Sequence, residues 1–255
     1  MIERAVAWRI ASVAVAAALV WLWQLTADLK LVSPVFLPGP DRAWASLLRG
    51  FASGDLWEKL RGTLTHMALG WFVASVAGIA LGALIGSSRA MRAYLAPSLE
   101  LLRPLPVSAI IPVAIALFGL SEGMALFVIA FGAVWPMLLA TVHGFAVVEP
   151  RLYEVARALH MSRIAVIWKI ALPSASPDIL AGMRLSLTVA LILSVVCEML
   201  AGLDGLGHWI LLSARSFRSA DLFAGVILLG IVGYSTALAM GLAERRLLVW
   251  RNSGH

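Results

Sequence analysis

EVARALHMSRIAVIWKIALP, residues 154–173, is a charged segment in the middle of a chain whose other long stretches are apolar. Pro150 suits the first turn of a helix, because the N–H that proline lacks has no partner there. Glu154 is expected near the positive N-terminal end of this helix. Ser162 is a candidate N-cap for a second helix, and Pro173 is expected to end it. The pattern predicts a short helix, a turn and an amphipathic helix outside the bilayer.

The composition places the rest of the chain in a membrane. Of the 255 residues, 61% are hydrophobic and 13% are charged, and the mean hydropathy is +0.92. Soluble domains carry about 25% charged residues, so there are too few polar side chains to cover a soluble helical core of this size. The net charge of +6 comes from basic residues at the ends of apolar runs. This pattern is typical of membrane topology rather than of nucleic-acid binding.

The hydropathy pattern predicts about six membrane-spanning runs, with both termini in the cytoplasm. The runs lie near residues 11–25, 64–86, 107–120, 124–142, 185–200 and 222–242. A cleaved signal peptide is the alternative interpretation of the first run. One helical face after that run is expected to lie along the outer membrane surface, and its apolar side chains are Trp44, Leu47, Leu48 and Phe51.

Small residues and prolines mark the boundaries and contacts of these runs. Gly78, Gly82 and Gly86 have the four-residue spacing that lets helices approach closely, either at a dimer seam or within one bundle. Arg89 and Arg92 follow them and predict a cytoplasmic loop. The sequence Ser-Pro-Asp at 176–178 predicts the start of the fifth run.

Residues 154–173 resemble the cytoplasmic loop of permease subunits in binding-protein-dependent ABC importers. That loop has the form E-A-A, three residues, G, nine residues, I-x-L-P. This chain keeps the spacing, with Val155 for the first Ala and His160 for the Gly. The sequence RPLP at 103–106, followed by FG at 118–119, resembles the sulfonate, taurine and nitrate branch of this family.

The resemblance implies an all-α, polytopic protein of the bacterial inner membrane, with about six transmembrane helices and the type I ABC importer permease fold. Residues 1–59 would then supply the first transmembrane helix and an outer interfacial segment. Residues 60–246 would form the permease core, with its coupling loop at 150–177, and residues 247–255 a cytoplasmic tail.

By the same resemblance, the loop contacts a separate ATPase subunit; the alternative is an amphipathic loop that lies on the membrane surface. The residues expected to carry this coupling are Glu154, Ala156, Ala158, His160, Met161, Ser162, Ile170, Leu172 and Pro173. Histidine adopts left-handed backbone angles less readily than glycine. His160 is therefore expected to reshape the turn or to let the first helix run on.

The sequence contains no motif for catalysis. No phosphate-binding loop ending in Gly-Lys-Ser or Gly-Lys-Thr is present, nor a His-Glu-x-x-His pair or a Gly-x-Ser-x-Gly turn. The stretch GLDGLG at 202–207 has the form of a dinucleotide fingerprint but follows a membrane helix, so it is predicted to be a turn. The chain is therefore expected to be non-catalytic and to bind no cofactor or metal, and the resemblance assigns ATP and Mg²⁺ to the partner ATPase.

Glu198 is an acidic residue well inside an apolar run, where a charge costs about 2.5–3.5 kcal/mol. Two interpretations stay open: a polar point on the translocation path or its outer gate, or a structural carboxyl hydrogen-bonded to a neighbouring helix. Trp135 and Ser186 are the other candidates to line the path.

The resemblance thus implies a permease for a small solute, an anion such as a sulfonate, taurine or nitrate, that works by alternating access. The partners it implies are two ATPase copies, a second permease copy, a periplasmic or lipid-anchored substrate-binding protein and membrane lipid, with no nucleic acid. The alternative is an ATP-independent secondary transporter or channel, for which more polar spans and a pseudo-repeat are expected.

Overall fold

The computed structural model describes residues 2–102 and 106–248, and most of this part of the chain is helical. Arg103, Pro104 and Leu105 of the predicted RPLP motif, and residues 249–255 of the predicted tail, lie outside the described residues. The helices are α1 (Ile2–Asp28), α2 (Pro40–Ala52), α3 (Asp55–Gly86), α4 (Arg89–Leu102), α5 (Val107–Phe118), α6 (Glu122–Ala146), α7 (Pro150–Ala158), α8 (Arg163–Val166), α9 (Leu172–Ala201), α10 (Leu206–Arg215) and α11 (Ser219–Leu247), and a π-helical turn (Ile167–Ala171) joins α8 to α9.

The centre of the bundle is formed by α3, α6 and α9, which pack around buried Met67, Val128, Ile129 and Leu193. Glycines on α3 let α6 approach its backbone. A Cβ atom at Gly82 would lie 2.5 Å from the Cβ atom of Thr141. The predicted glycine seam therefore lies within one bundle, and its contacts pair Gly70 with Ile129, Gly78 with Met137, Gly82 with Thr141 and Gly86 with Phe145.

The two residues of each pair are separated by the same number of positions in the sequence, so α3 and α6 run in the same direction. The chain between Gly86 and Glu122 must then return across the membrane. Five helices are long and apolar enough to cross alone within the described part, whereas α5 has only 12 residues, which span about 18 Å of a hydrocarbon core about 30 Å thick. We conclude that α4 and α5 together make the remaining crossing. The sequence had instead predicted a cytoplasmic loop at Arg89 and Arg92, followed by a single span near residues 107–120.

The fifth crossing corrects two predictions made from proline. Pro173 does not end a helix and Ser176-Pro177 does not start one, because the helix is continuous from Ile164 to Ala201, over 38 residues. Pro173 has no N–H to donate, and the chain adapts with the π-helical turn, where the Leu172 N–H donates to the Ile167 carbonyl. Pro177 likewise leaves the Pro173 carbonyl free, and the Ser176 hydroxyl donates to it at 2.8 Å.

The outer end of the bundle is capped by α2 and α10. Leu47 of α2 is buried in a cluster with Leu56, Leu206 and Trp209, whereas Trp44 is exposed. The predicted surface helix therefore packs one side against the protein and leaves its other side exposed. None of the residues in the apolar part of α1, Ala11–Asp28, is buried. At its outer end, the Trp23 Nε1 atom donates to the Pro38 carbonyl at 2.9 Å.

Candidate functional site

The coupling segment, Pro150–Pro173, begins with the predicted proline in the first turn of α7. The helix ends in a Schellman motif, in which the Met161 N–H donates to the Ala156 carbonyl and the His160 N–H to the Arg157 carbonyl. His160 has a φ of 49°. The expectation that His160 would reshape the turn or extend the helix is wrong, because the histidine adopts the left-handed angle that the turn requires.

The second helix of the coupling segment starts as the sequence predicts. The Ser162 hydroxyl accepts a hydrogen bond from the Ala165 N–H at 3.3 Å, which is the arrangement of an N-cap. Glu154, however, is the fifth residue of α7 rather than part of its first turn. Its carboxylate is exposed, so it is available to a partner but lies beyond the strongest influence of the helix N-terminus.

The predicted coupling residues divide into two groups by burial. Ala156 is buried, and Ile170 and Leu172 pack against a cluster that contains Phe145 and Val148 at the cytoplasmic end of α6. These three residues therefore anchor the segment to the bundle, and Met161 is half-buried beside them. The exposed members of the predicted set are Glu154, Ala158, His160, Ser162 and Pro173.

The opposite face of the coupling segment is apolar and exposed. Ile164 is 70% exposed and Trp168 66% exposed, and both lie at the start of the helix that forms the fifth crossing. We call this face the apolar docking face, and its members are Leu152, Val155, Leu159, Ile164 and Trp168. The family pattern predicted residues next to these five in the sequence, but not the five themselves. Their recurrence at helical spacing on both helices is the signal that could have identified them.

A cavity of about 910 Å³ separates α7 from the cytoplasmic ends of α3 and α6. Ser88, Arg92, Tyr153 and Arg157 are among its polar lining residues. Burial raises the pKa of the Tyr153 phenol, and the nearby Arg92 guanidinium acts in the opposite direction. The coupling segment is thus held mainly through its buried apolar residues, with space behind α7.

At the outer end, Glu198 is fully buried and both of its oxygens are occupied. Oε2 accepts from the Thr63 hydroxyl and from the Gly207 N–H, each at 2.9 Å, and Oε1 lies 3.1 Å from His66 Nδ1. The Thr63 hydroxyl also accepts from the Leu206 N–H at 2.9 Å. We call this arrangement the outer polar node; it joins α3, α9 and the start of α10.

The turn after α9, which the sequence predicted at residues 202–207, fits closely around this carboxylate. Gly202 has a φ of 67° at the end of α9. A Cβ atom at Gly205 would lie 2.2 Å from the Glu198 carboxyl carbon, and one at Gly207 would lie 2.3 Å from the Val195 carbonyl oxygen. Thr63 and His66 were not predicted from the sequence, where their polar side chains on an apolar helix were the available signal.

The other path candidates occupy different environments. Trp135 is partly buried and ends a row of aromatic rings on α5 and α6, with ring centroids 5.4, 6.1 and 5.8 Å apart along Phe118, Phe127, Phe131 and Trp135. Ser186 is fully buried, and its hydroxyl donates to the Ala133 carbonyl at 2.7 Å. Its side chain thus links α9 to α6 and reaches no open surface of this chain, and its place on the path stays a prediction.

Across the described ranges, no three His, Cys, Asp or Glu side chains are grouped so that they could hold a metal ion. The long apolar helices and the charged segment between two of them define a polytopic membrane protein. Residues 74–249 match the family described as "Binding-protein-dependent transport system inner membrane component", and the chain belongs to this family.

The chain is similar over most of its length to permeases of known importers. It is 37% identical to the putative aliphatic sulfonates transport permease protein SsuC of Bacillus subtilis, over 93% of this chain and 86% of that protein. It is 33% identical to the taurine transport system permease protein TauC of Escherichia coli, over 94% of this chain and 89% of that protein.

The fold is similar to a solved structure of the MetNI methionine ABC transporter in an inward-facing conformation, with a TM-score of 0.65 and 19% identity, over 75% of this chain and 94% of that one. The chain is thus the permease subunit of an ABC importer and a multi-pass protein of the inner membrane. Membership of this family implies an ATPase partner and a substrate-binding protein.

Proposed function

We propose that this chain forms, with a second identical copy, the membrane pathway of an ATP-driven importer for a small organic or inorganic anion. A sulfonate, taurine or nitrate is the class of substrate favoured, because relatives named for sulfonate, taurine and nitrate transport align with most of the chain. The permease itself catalyses no reaction. Two ATPase subunits bind ATP and Mg²⁺ below the membrane, and a periplasmic or lipid-anchored binding protein delivers the solute from above.

The observation that carries the coupling role is the apolar docking face. Large apolar side chains that are exposed together on one short segment outside the membrane are a typical mark of a protein interface. Ile164 and Trp168 dominate this face, and Glu154 lies on the same segment with its carboxylate exposed. We therefore assign the face and Glu154 to ATPase contact, whereas Ala156, Ile170 and Leu172 hold the segment to the bundle.

The continuous fifth crossing supports alternating access driven from this face. The helix from Ile164 to Ala201 has 38 residues and is about 57 Å long. It begins on the docking face and ends beside Glu198 and the outer turn. A movement of the ATPase subunits is therefore passed to the outer end through one helix, with no flexible loop in between.

The substitution Ile164→Asp tests the docking role. Aspartate at the second position of α8 suits a helix N-terminus, so the helix itself is preserved while a charge enters the apolar contact. We expect ATPase affinity to fall on the order of a hundredfold, as for the loss of an interface anchor, measured by co-purification and by titration of the ATPase onto the reconstituted permease.

Phe36→Asp is the matched control, because Phe36 is 64% exposed and lies on the opposite side of the membrane. This variant should bind the ATPase like the parent chain. Equal ATPase binding by Ile164→Asp and the parent chain would contradict the docking role.

The substrate class is tested on the partner binding protein. We expect mass spectrometry of the ligands that remain bound to it to identify a sulfonate, taurine, nitrate or a related small anion. Recovery only of solutes that carry no sulfonate, nitrate or other anionic group would refute the proposed class and leave the ATPase coupling untouched.

A further inference from the structure

One face of α3 is fastened to the turn that follows the fifth crossing. Lys59, Gly62, Thr63 and His66 share this face, because residues three and four apart are neighbours on a helix. Lys59 Nζ lies 2.5 Å from Asp204 Oδ1. At Gly62, a Cβ atom would lie 2.2 Å from the Asp204 carbonyl oxygen, so the turn is in direct contact with the α3 backbone.

The centre of this contact is the outer polar node. The Glu198 carboxylate accepts from side chains of α3 and from the backbone of the turn, while Thr63 both donates to Glu198 and accepts from Leu206. Loss of either side chain leaves buried N–H groups without partners, which is costly in a water-poor environment. The turn itself contains Gly202 and Gly205, and Gly207 follows in the first turn of α10, so the turn has little stiffness of its own.

The same geometry argues against a solute-binding role for Glu198. Its side chain is fully buried, and three donors already occupy its two oxygens. A transported anion would also be repelled by a carboxylate. The carboxylate instead lies where the fifth crossing, the outer turn and α3 meet.

We propose that Glu198 is a positioning residue of the transport cycle, whose carboxylate fastens the turn 202–207 and α10 to α3 so that the outer ends of α3, α9 and α10 move as one unit. The source of that movement, the ATPase-driven coupling segment, rests on the proposed function. The fastening itself rests on contacts within this chain. Without it, a displacement of α9 would be absorbed by the glycine-containing turn.

Cys197 provides a probe of the node, because it is the chain's one cysteine, is fully buried and precedes Glu198. The rate of its reaction with N-ethylmaleimide is measured on the permease band of the purified permease–ATPase complex. The measurement is made without nucleotide and with ATP and vanadate. For the parent chain we expect a slow rate that is the same in both states, because the outer unit moves without opening.

Thr63→Val removes the shared hydroxyl and keeps the shape of the side chain. We expect Cys197 to react about tenfold faster, since one or two buried hydrogen bonds are lost, and we expect the rate to depend on the nucleotide state. Thr63→Ser restores the hydroxyl and should react within about twofold of the parent rate. Glu198→Ala should behave like Thr63→Val, and the valine–serine pair suffices if the alanine variant does not assemble.

The outcomes are distinct. An unchanged rate in Thr63→Val, a serine variant as fast as the valine variant, or a rise of equal size in both nucleotide states would each overturn the positioning role. A rise of equal size in both nucleotide states would show that the substitution loosens the structure without affecting the transport cycle. If the ATPase does not associate with the parent chain, the proposed function fails instead, and the nucleotide-free rates still test the fastening.

Discussion

The coupling turn illustrates how one unusual side chain is accommodated. A left-handed backbone angle costs an ordinary L-residue about 1–2 kcal/mol, yet His160 adopts a φ of 49°. The two hydrogen bonds of the Schellman motif depend on this angle. The turn is therefore preserved despite the departure from the family pattern, and Glu154 remains exposed on the adjacent helix.

The substitution Glu154→Lys reverses the charge of this exposed side chain. If the carboxylate contacts a cationic group of the ATPase, the variant should insert normally but transport much less solute for each ATP hydrolysed. We expect a loss of at least about tenfold, as for a broken interfacial charge pair, measured as uptake and hydrolysis in the same proteoliposomes. Asp28→Lys, at an exposed aspartate at the outer end of α1, is the control and should be neutral. Normal transport by Glu154→Lys would count against the docking role.

Among the helices, the contact of α3 with α6 depends most on residue size. Glycines on α3 meet side chains or backbone of α6 at distances that leave no room for a methyl group. Small residues at such contacts let membrane helices gain van der Waals packing, which replaces the hydrophobic driving force they lack in lipid. The contacts along this seam also show that the two helices run parallel, and the topology rests on that direction.

The substitution Gly82→Ala tests the seam. The new methyl group would lie 2.5 Å from the Thr141 Cβ atom and 3.0 Å from the Leu138 carbonyl oxygen, so the helices must separate. Overpacking of this kind costs about 1–3 kcal/mol, which exceeds the gain of up to about 1 kcal/mol in helix propensity. We expect a lower unfolding temperature in detergent.

Gly230→Ala is the matched substitution, because a Cβ atom at Gly230 of α11 meets no atom within 4 Å. Its unfolding temperature should be equal to or higher than that of the parent chain. The interpretation of the seam would be wrong if the two variants unfolded alike.

Taken as a whole, the bundle crosses the membrane so that α2, α10 and the outer polar node lie at one end and the coupling segment at the other. The parallel packing of α3 and α6 requires the return through α4 and α5. The charges agree with this orientation, since Arg245 and Arg246 at the end of α11 lie on the same side as the coupling segment.

Cysteine labelling of intact cells tests this orientation in a Cys197→Ser background. Arg157→Cys should react with a membrane-impermeant maleimide only after the inner membrane is opened. Phe36→Cys, on the outer side, should react once the reagent reaches the periplasm. Labelling of position 157 from outside would refute both the orientation and the proposed ATPase contact.

The sequence alone determined the class of the protein, because composition and the length of apolar runs report directly on the cost of transferring groups into lipid. The spacing from Glu154 to Pro173 also identified the coupling segment, since helix starts and turns depend on local chemistry such as the Ser162 cap. It did not reveal that the helix passes through Pro173. That continuity is accompanied by the π-helical turn before Pro173 and by the Ser176 hydroxyl, which donates to the carbonyl that Pro177 leaves without a backbone donor.

Only the tertiary structure decided which side chains meet. Thr63 and Glu198 are 135 residues apart, and no local pattern relates two residues that are brought together by the packing of α3 against α9. The same packing buried Ser186 and placed Ile164 and Trp168 on an open face. Membrane insertion and helix capping are properties of short stretches, so the sequence predicted them. Burial and hydrogen bonding between distant residues are properties of the assembled bundle, so the sequence could not predict them.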